Sequence, residues 1–267
     1  MSERWYRVAV TDGRTVTLAA AEGAHAGAAI AAVVARVGRG GRVWPVAAAV
    51  ADEVPLGESI GRGVVVLPAP PPGLAGFEFP LGVVPALGER GRAAIAPGYA
   101  RTTEGDGHVV EAVAAGDEAR ETFLDVIERL PVVDNLEVEV AAHLDPSAER
   151  QVWLTPRLKD TRRAIRFLDD FDDDCLTSGH VDVAAYVRAP RSTWRLTQHK
   201  TLLWLSEDDA LTAQVVGWLT ARGLAPIDPV ATVADGPHLH YRGLRSSARP
   251  RLLARLKSAG LRRVVPA

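Results

Sequence analysis

Short apolar runs and amphipathic helical stretches follow one another in the same order twice between His108 and the end of the chain. In each half the order is strand, helix, strand, strand, helix, strand, and the second half begins near Lys200. Strands assemble into sheets, and the helices between them must bury their apolar stripes on a sheet face. This order therefore restricts residues 108–267 to a fold that mixes helices with a sheet.

The first half contains the clearest periodicities. In residues 136–140, Leu-Glu-Val-Glu-Val, apolar and acidic side chains alternate, which is typical of a strand with one buried face. The helix before it carries apolar residues at helical spacing, namely Phe123, Val126, Ile127 and Leu130.

The second half has matching signals. Residues 200–206 are apolar on both faces, as expected of a central strand, and the helix that follows ends at Gly223. A further helix runs from about Ser247 to Ala259 and ends before Gly260. The predicted fold class is α+β, with two tandem ferredoxin-like (βαββαβ) units at 108–190 and 191–267, the second carrying a basic C-terminal helix.

The residues before His108 are less regular. Residues 1–67 are predicted to form a small α+β segment, with a hairpin turning at Asp12-Gly13 and a helix from about Ala24 to Val37. Pro45 places its strand at a sheet edge, because proline cannot donate a ladder hydrogen bond. Residues 68–107 are rich in proline and glycine and are predicted to be an irregular connection.

The composition excludes several classes of protein. The net charge is −2, so no overall field favours nucleic acid or membranes. The single cysteine, Cys175, cannot form an internal disulfide or a cysteine zinc site, and no signal-peptide core or 18-residue apolar run is present. The expected location is cytoplasmic. Only three of the 31 basic residues are lysine, which is typical of a GC-rich bacterial genome and weakens arginine clusters as evidence for phosphate binding.

The most specific local motif is His238-Leu239-His240 on a short predicted strand. Alternation places His238, His240 and Arg242 on one face and Leu239 and Tyr241 on the other. Two imidazoles at i and i+2 can converge on one ion, so His238 and His240 are candidate metal ligands. The sequence offers as further ligands His143, His180, His199, Asp182 and Asp235. The alternative is a polar strand face with a hydrogen-bonded histidine and no metal.

A second histidine motif precedes the strand at 200–206. His199-Lys200-Thr201, followed by an apolar strand, resembles one half of the paired H-x-T/S motif of the 2H phosphoesterase family, in which two histidines act as acid and base on a phosphodiester. His238-Leu239-His240 departs from that motif, because a histidine stands where the hydroxyl residue belongs. The resemblance implies histidine acid–base chemistry on a phosphodiester, and the candidate ligands His238 and His240 add a metal-assisted version. Our alternative hypothesis is therefore a histidine- or metal-dependent phosphodiester hydrolase that uses His199, His238 and His240.

Charges of opposite sign are concentrated in two segments. Residues 169–174 include five aspartates, and residues 236–267 contain eight basic residues and no acid. The acidic run is either a solvated helix end or a cation site. The basic helix, with Arg251 and Arg255 one turn apart, predicts a surface for phosphates, for the acidic run or for an acidic partner.

Common catalytic signatures, such as a phosphate loop, a G-x-S-x-G elbow or H-E-x-x-H, are absent from the sequence. The favoured hypothesis is therefore a non-catalytic binding or assembly protein, without a cofactor, that acts through a protein partner or self-association. Its predicted binding surface consists of His238, His240, Arg242, Arg251 and Arg255. A third hypothesis is single-stranded nucleic-acid binding on an open sheet face, with Trp204 beside these histidines.

Overall fold

The computed structural model describes residues 4–12, 15–38, 43–51, 53–68, 77–87, 95–142, 149–158, 160–243 and 245–264. Helices and strands occur together throughout these ranges, which confirms the mixed α+β class. The described strands form a five-stranded sheet, an eight-stranded sheet and a two-stranded ladder. No helix among the described residues has both the length and the apolar character needed to cross a membrane.

The helices are α1 (Ala26–Val37), α2 (Glu118–Arg129), α3 (Thr161–Asp170), α4 (Asp209–Ala221) and α5 (Arg249–Ser258). The strands are β1 (Arg4–Thr11), β2 (Val16–Gly23), β3 (Trp44–Val50), β4 (Glu58–Gly61), β5 (Val64–Val66), β6 (Val83–Pro85), β7 (Gly98–Glu104), β8 (Gly107–Val113), β9 (Asn135–Val140), β10 (Gln151–Leu154), β11 (Val181–Val187), β12 (Ser192–Leu196), β13 (Leu202–Ser206), β14 (His238–His240) and β15 (Arg262–Val264). A π-helical turn covers Asp172–Leu176, and a 3₁₀ turn covers Val233–Asp235.

The eight-stranded sheet has the order β15-β10-β9-β11-β12-β13-β8-β7, and every neighbouring pair is antiparallel. The predicted alternation of apolar and acidic side chains between the two faces of β9 is present. Leu136, Val138 and Val140 are buried in one core with apolar residues of α2, α3, α4 and α5. The opposite face is charged, and there Arg195 donates to Glu137 at 2.8 Å. Helices therefore cover one face of this sheet, while the other face carries ion pairs.

The tandem ferredoxin-like arrangement is not confirmed. The strands of both predicted units join in one sheet, because β11 pairs with β12 and β13 pairs with β8. The prediction that β13 and β14 share a sheet is wrong, since β14 pairs instead with β6, a strand inside the segment predicted to be an irregular connection. Three-residue strands bury too little to leave a periodicity, and β6 also ends in a proline, so the sequence did not indicate this ladder.

The nucleic-acid hypothesis requires Trp204 to lie on an open sheet face, and the structure does not place it there. Its side chain is fully buried toward the helices, and its indole N–H donates to Thr212 Oγ1 at 3.0 Å. In β13, Leu202, Trp204 and Ser206 form the buried alternation, whereas Leu205 is exposed. The prediction that Trp204 offers an exposed ring for base stacking is therefore wrong.

The N-terminal segment forms the predicted hairpin and helix. β1 pairs with β2, α1 packs Ile30 and Val33 onto the five-stranded sheet, and β3 with its proline lies at the sheet edge. Tyr241 belongs to the same core cluster and the partly buried Leu239 packs against it, so the C-terminal part of the chain packs against this segment. Most of the proline-rich stretch, residues 69–76, lies outside the described residues.

The acidic run and the basic helix contact each other. Asp174 is buried, and its carboxylate accepts hydrogen bonds from the Ser247 backbone N–H and from the Arg255 guanidinium. Arg255 also donates to the Asp170 carbonyl at 2.9 Å and lies over the Phe171 ring at 4.5 Å. One of the three predicted uses of the basic helix, binding the acidic run, is thus present within the chain.

Replacing Arg255 by alanine is expected to lower the free energy of unfolding by about 2–4 kcal/mol, because Asp174 would stay buried without its cationic partner. Arg251→Ala removes an exposed arginine from the same helix and should change stability by less than about 0.5 kcal/mol. Urea denaturation followed by circular dichroism measures both changes. Equal effects of the two substitutions would show that Asp174 does not depend on Arg255.

Candidate metal centre

Three histidines from two separate parts of the chain converge on one point. His238 and His240 lie on β14, and His199 lies in the turn between β12 and β13. The ring centroid of His199 is 4.8 Å from that of His238 and 4.9 Å from that of His240. One nitrogen from each ring lies within 4.8 Å of the others, and all three residues are half-buried. We call these three residues the histidine cluster.

Strand alternation aims two of the three rings at the cluster. Leu239 and Tyr241 point into the N-terminal core, so His238 and His240 project from the opposite side of the strand. The pairing of β14 with β6 fixes the register, with Leu239 opposite Val84. The sequence-based assignment of the two faces of this strand agrees with this arrangement.

Two glycines allow three chain segments to cross directly behind the cluster. The Tyr241 N–H donates to the Gly82 carbonyl at 2.8 Å, and the Gly179 N–H donates to the Tyr241 carbonyl at 2.9 Å. A Cβ atom on Gly179 would lie 1.8 Å from the Gly82 oxygen, and Gly82 itself has a φ of +106°. Only glycine fits this crossing, which brings the Gly179 carbonyl to His240.

The turn that carries His199 is tied to the same region. The Lys200 N–H donates to the Thr197 carbonyl at 2.9 Å, which closes the turn, and Lys200 has a φ of +62°. The Gln198 N–H donates to the Asp182 carboxylate at 2.6 Å, and the Lys200 ammonium donates to the Ser178 carbonyl at 2.6 Å. These two bonds hold the turn against the segment that contains Gly179.

Backbone carbonyls determine which nitrogens of His238 and His240 carry hydrogen. His238 Nδ1 lies 2.7 Å from the Gly236 oxygen, and His240 Nδ1 lies 2.5 Å from the Gly179 oxygen. A carbonyl oxygen only accepts, so each Nδ1 is the protonated nitrogen and each Nε2 of the neutral ring presents a lone pair. The two Nε2 atoms are 3.0 Å apart. Two lone pairs at this distance repel each other unless a proton or a metal ion lies between them.

A metal ion fits this spacing. Zinc–nitrogen bonds of about 2.0–2.1 Å at tetrahedral angles separate two ligand nitrogens by about 3.3 Å. Histidines that bind metals usually donate their other N–H to a carbonyl or carboxylate, as His238 and His240 do. His238 and His240 therefore have the ligand type, the tautomers and the spacing of a transition-metal site, and His199 offers a third nitrogen within 4.8 Å of theirs.

The other predicted ligands have different positions. His180 is buried beside the cluster, with its ring centroid 6.1 Å from that of His240. The Asp182 carboxylate accepts from the Gln198 N–H, and its Oδ2 lies 3.6 Å from Arg195 Nη1. The Asp235 carboxylate accepts from the Thr232 N–H at 2.6 Å. His143 lies outside the described residues. These two aspartates therefore support the surrounding backbone and side chains.

The structure divides the predicted binding surface. His238 and His240 lie together with His199, which belonged to the alternative hypothesis, whereas Arg255 binds Asp174 and Arg251 is exposed on α5. Sequence reasoning missed Gly82, Gly179 and Lys200 as supports of the cluster. A backbone crossing leaves no pattern in one sequence, but a lysine at the start of a strand that is apolar on both faces was an available signal. Comparisons with protein-family models, with curated proteins and with solved structures find no match.

Replacing Gly179 by alanine is expected to destabilise the protein by more than about 2 kcal/mol, because its methyl group cannot fit against the Gly82 carbonyl. Gly217→Ala is the matched control, since Gly217 lies inside α4 with nothing within 4 Å of the position that a Cβ atom would take, and it should stabilise by about 0.5–1 kcal/mol. Thermal unfolding compares the two variants. A Gly179→Ala protein as stable as the wild type would contradict the tight crossing.

Burial lowers the pKa of Lys200 to about 8 from the ordinary 10.5, against the opposing influence of Asp182 and Cys175. Between these two values the unfolded chain binds more protons than the folded chain, so stability rises with pH over that range. The difference in free energy of unfolding between wild type and Lys200→Met should therefore increase by about 2 kcal/mol from pH 8 to pH 10. Urea denaturation at several pH values measures it, and a constant difference would mean that this lysine is not desolvated.

Proposed function

We propose that His199, His238 and His240 bind one divalent transition-metal ion, with zinc best suited, and that this ion serves a hydrolytic reaction. The observation that carries the proposal is the 3.0 Å separation of two Nε2 atoms whose Nδ1 partners are both committed to carbonyls. Two Nε2 lone pairs at this separation repel each other, and a metal ion bound by both nitrogens would remove that repulsion.

The ligand set favours zinc over harder cations. Three imidazole nitrogens suit zinc, copper and nickel, whereas calcium and magnesium require oxygen ligands. Catalytic zinc sites commonly have three protein ligands and a fourth position for water or substrate. Zinc in such a site lowers the pKa of its bound water to about 7 and so provides a hydroxide nucleophile near neutral pH.

This proposal corresponds to the alternative hypothesis from the sequence, which used the same three histidines. The favoured hypothesis, a non-catalytic assembly protein, stays a prediction. Its surface is reduced by the internal ion pair of Arg255 with Asp174. Single-stranded nucleic-acid binding also stays a prediction, without Trp204 as a stacking residue.

Tag-free protein, stripped with a chelator, is expected to bind one equivalent of zinc in competition with a chromophoric chelator. His238→Ala and His240→Ala should each weaken zinc binding by at least about 100-fold, because each removes a direct ligand. His108→Gln is the control, since His108 lies on β8 beside Arg101 and Asp209 and outside the cluster. Cobalt(II) absorption reports whether the coordination is tetrahedral.

The hydrolytic part is tested with bis(4-nitrophenyl) phosphate and 4-nitrophenyl acetate. Turnover should require zinc, disappear with a chelator and be lost in His238→Ala and His240→Ala but not in His108→Gln. Zinc binding that is absent, or equal in all variants, would overturn the metal centre. Stoichiometric zinc without turnover of either ester would overturn the hydrolytic role and leave a non-catalytic metal site.

A further inference from the structure

A pocket of about 250 Å³ lies between the end of β9, the segment before β11 and the start of α5. Its described lining includes the polar residues Ser178, His180, Arg242 and Arg249, and apolar residues such as Val140 and Leu252. The volume suits a small molecule and is too small for a folded partner.

Three residues of the pocket lining neighbour residues of the histidine cluster. His180 lines the pocket, and its ring centroid is 6.1 Å from that of His240. Arg242 also lines the pocket and follows His240 by two residues in the chain. The carbonyl of Ser178, a third lining residue, accepts a hydrogen bond from the Lys200 ammonium beside His199. A molecule in the pocket would therefore lie in the neighbourhood of the histidine cluster.

The described lining is positively charged and contains no carboxylate. Arg242 forms no ion pair with a described carboxylate, although its charge adds to burial in lowering the pKa of His25 nearby. Arg249 donates to the Glu149 backbone carbonyl, while its Nε is buried without a hydrogen-bond partner among the described atoms. No acidic residue lies in the first turn of α5 at this wall. Two guanidinium groups at one pocket whose described wall lacks an acid attract an anion.

We infer that this pocket binds the anionic group of the substrate, a small phosphate ester, through Arg242 and Arg249. Guanidinium groups match the geometry of phosphate oxygens and bind them with pairs of parallel hydrogen bonds. The apolar remainder of the wall, which includes Val140, Pro250 and Leu252, suits the organic part of such an ester. The inference rests on the proposed function for the reaction, but anion binding itself does not require the metal.

The test is isothermal titration of metal-free protein with inorganic phosphate and phenyl phosphate. Arg242→Gln and Arg249→Gln should each weaken binding about tenfold or more, because each removes a charged donor. Arg262→Gln is the matched control, since it removes the same charge from an exposed position on β15 outside the pocket, and it should leave the affinity unchanged. Arg242→Lys keeps the charge without the fork and should fall between wild type and Arg242→Gln.

Zinc binding and thermal unfolding are measured on the same proteins, so that a folding defect is distinguished from loss of the anion site. Phosphate binding that is absent, or equal in all variants, would overturn the pocket assignment whether or not zinc binds. Arginine-dependent phosphate binding in a protein that does not bind zinc would support the pocket and overturn the metal centre. Acetate binding as tight as phosphate binding would overturn the phosphate-ester class.

Discussion

The crossing of three backbone segments at Gly82, Gly179 and Tyr241 is the constraint on which the candidate site depends. The segments come from the turn before the ladder strand β6, the loop before β11 and the end of strand β14, and they contact one another through hydrogen bonds between main-chain atoms. Both bonds reach ordinary lengths of 2.8 and 2.9 Å because neither glycine carries a Cβ atom at the point of contact. The Gly179 carbonyl that orients His240 is part of this crossing, so ring orientation follows from backbone packing.

Buried charge is arranged differently in two parts of the molecule. Beneath α5, Asp174 is neutralised by Arg255, and its other oxygen accepts from a backbone N–H of the segment before that helix. Near the histidine cluster, the Lys200 ammonium instead donates to a carbonyl, with no carboxylate in contact among the described residues. A buried ammonium without a carboxylate in contact is rare in proteins, and this one belongs to the residue after His199 and donates to Ser178, which lines the pocket that contains Arg242 and Arg249. Titratable groups whose pKa is perturbed by burial, as that of Lys200 is, are typical of functional sites.

The sequence predicted those features that repeat with a period and missed those that depend on single contacts. The alternation in β9, the two faces of β14 and the edge position of β3 all follow from side-chain periodicity or from proline chemistry, and all three are present. The prediction that β14 lies in the same sheet as β13 was wrong. The pairing of this three-residue strand is determined by the tertiary contacts at the glycine crossing, which place it beside β6. His199 was named as a ligand candidate, but its approach to β14 depends on a turn held by Asp182 and Lys200, which no spacing encodes.

The position of the cluster couples ion binding to the stability of the chain. His199 belongs to a hairpin of the eight-stranded sheet, whereas His238 and His240 belong to a ladder whose other face packs on the N-terminal core. An ion held by all three would connect these parts of the chain, and its binding free energy would stabilise their contact. If both proposals hold, the same ion would also add positive charge near the pocket lined by Arg242 and Arg249. Because the backbone carbonyls at Gly236 and Gly179 already engage the two Nδ1 atoms, the Nε2 atoms of His238 and His240 are left 3.0 Å apart, and a shared metal ion beside the line that joins them would relieve their repulsion.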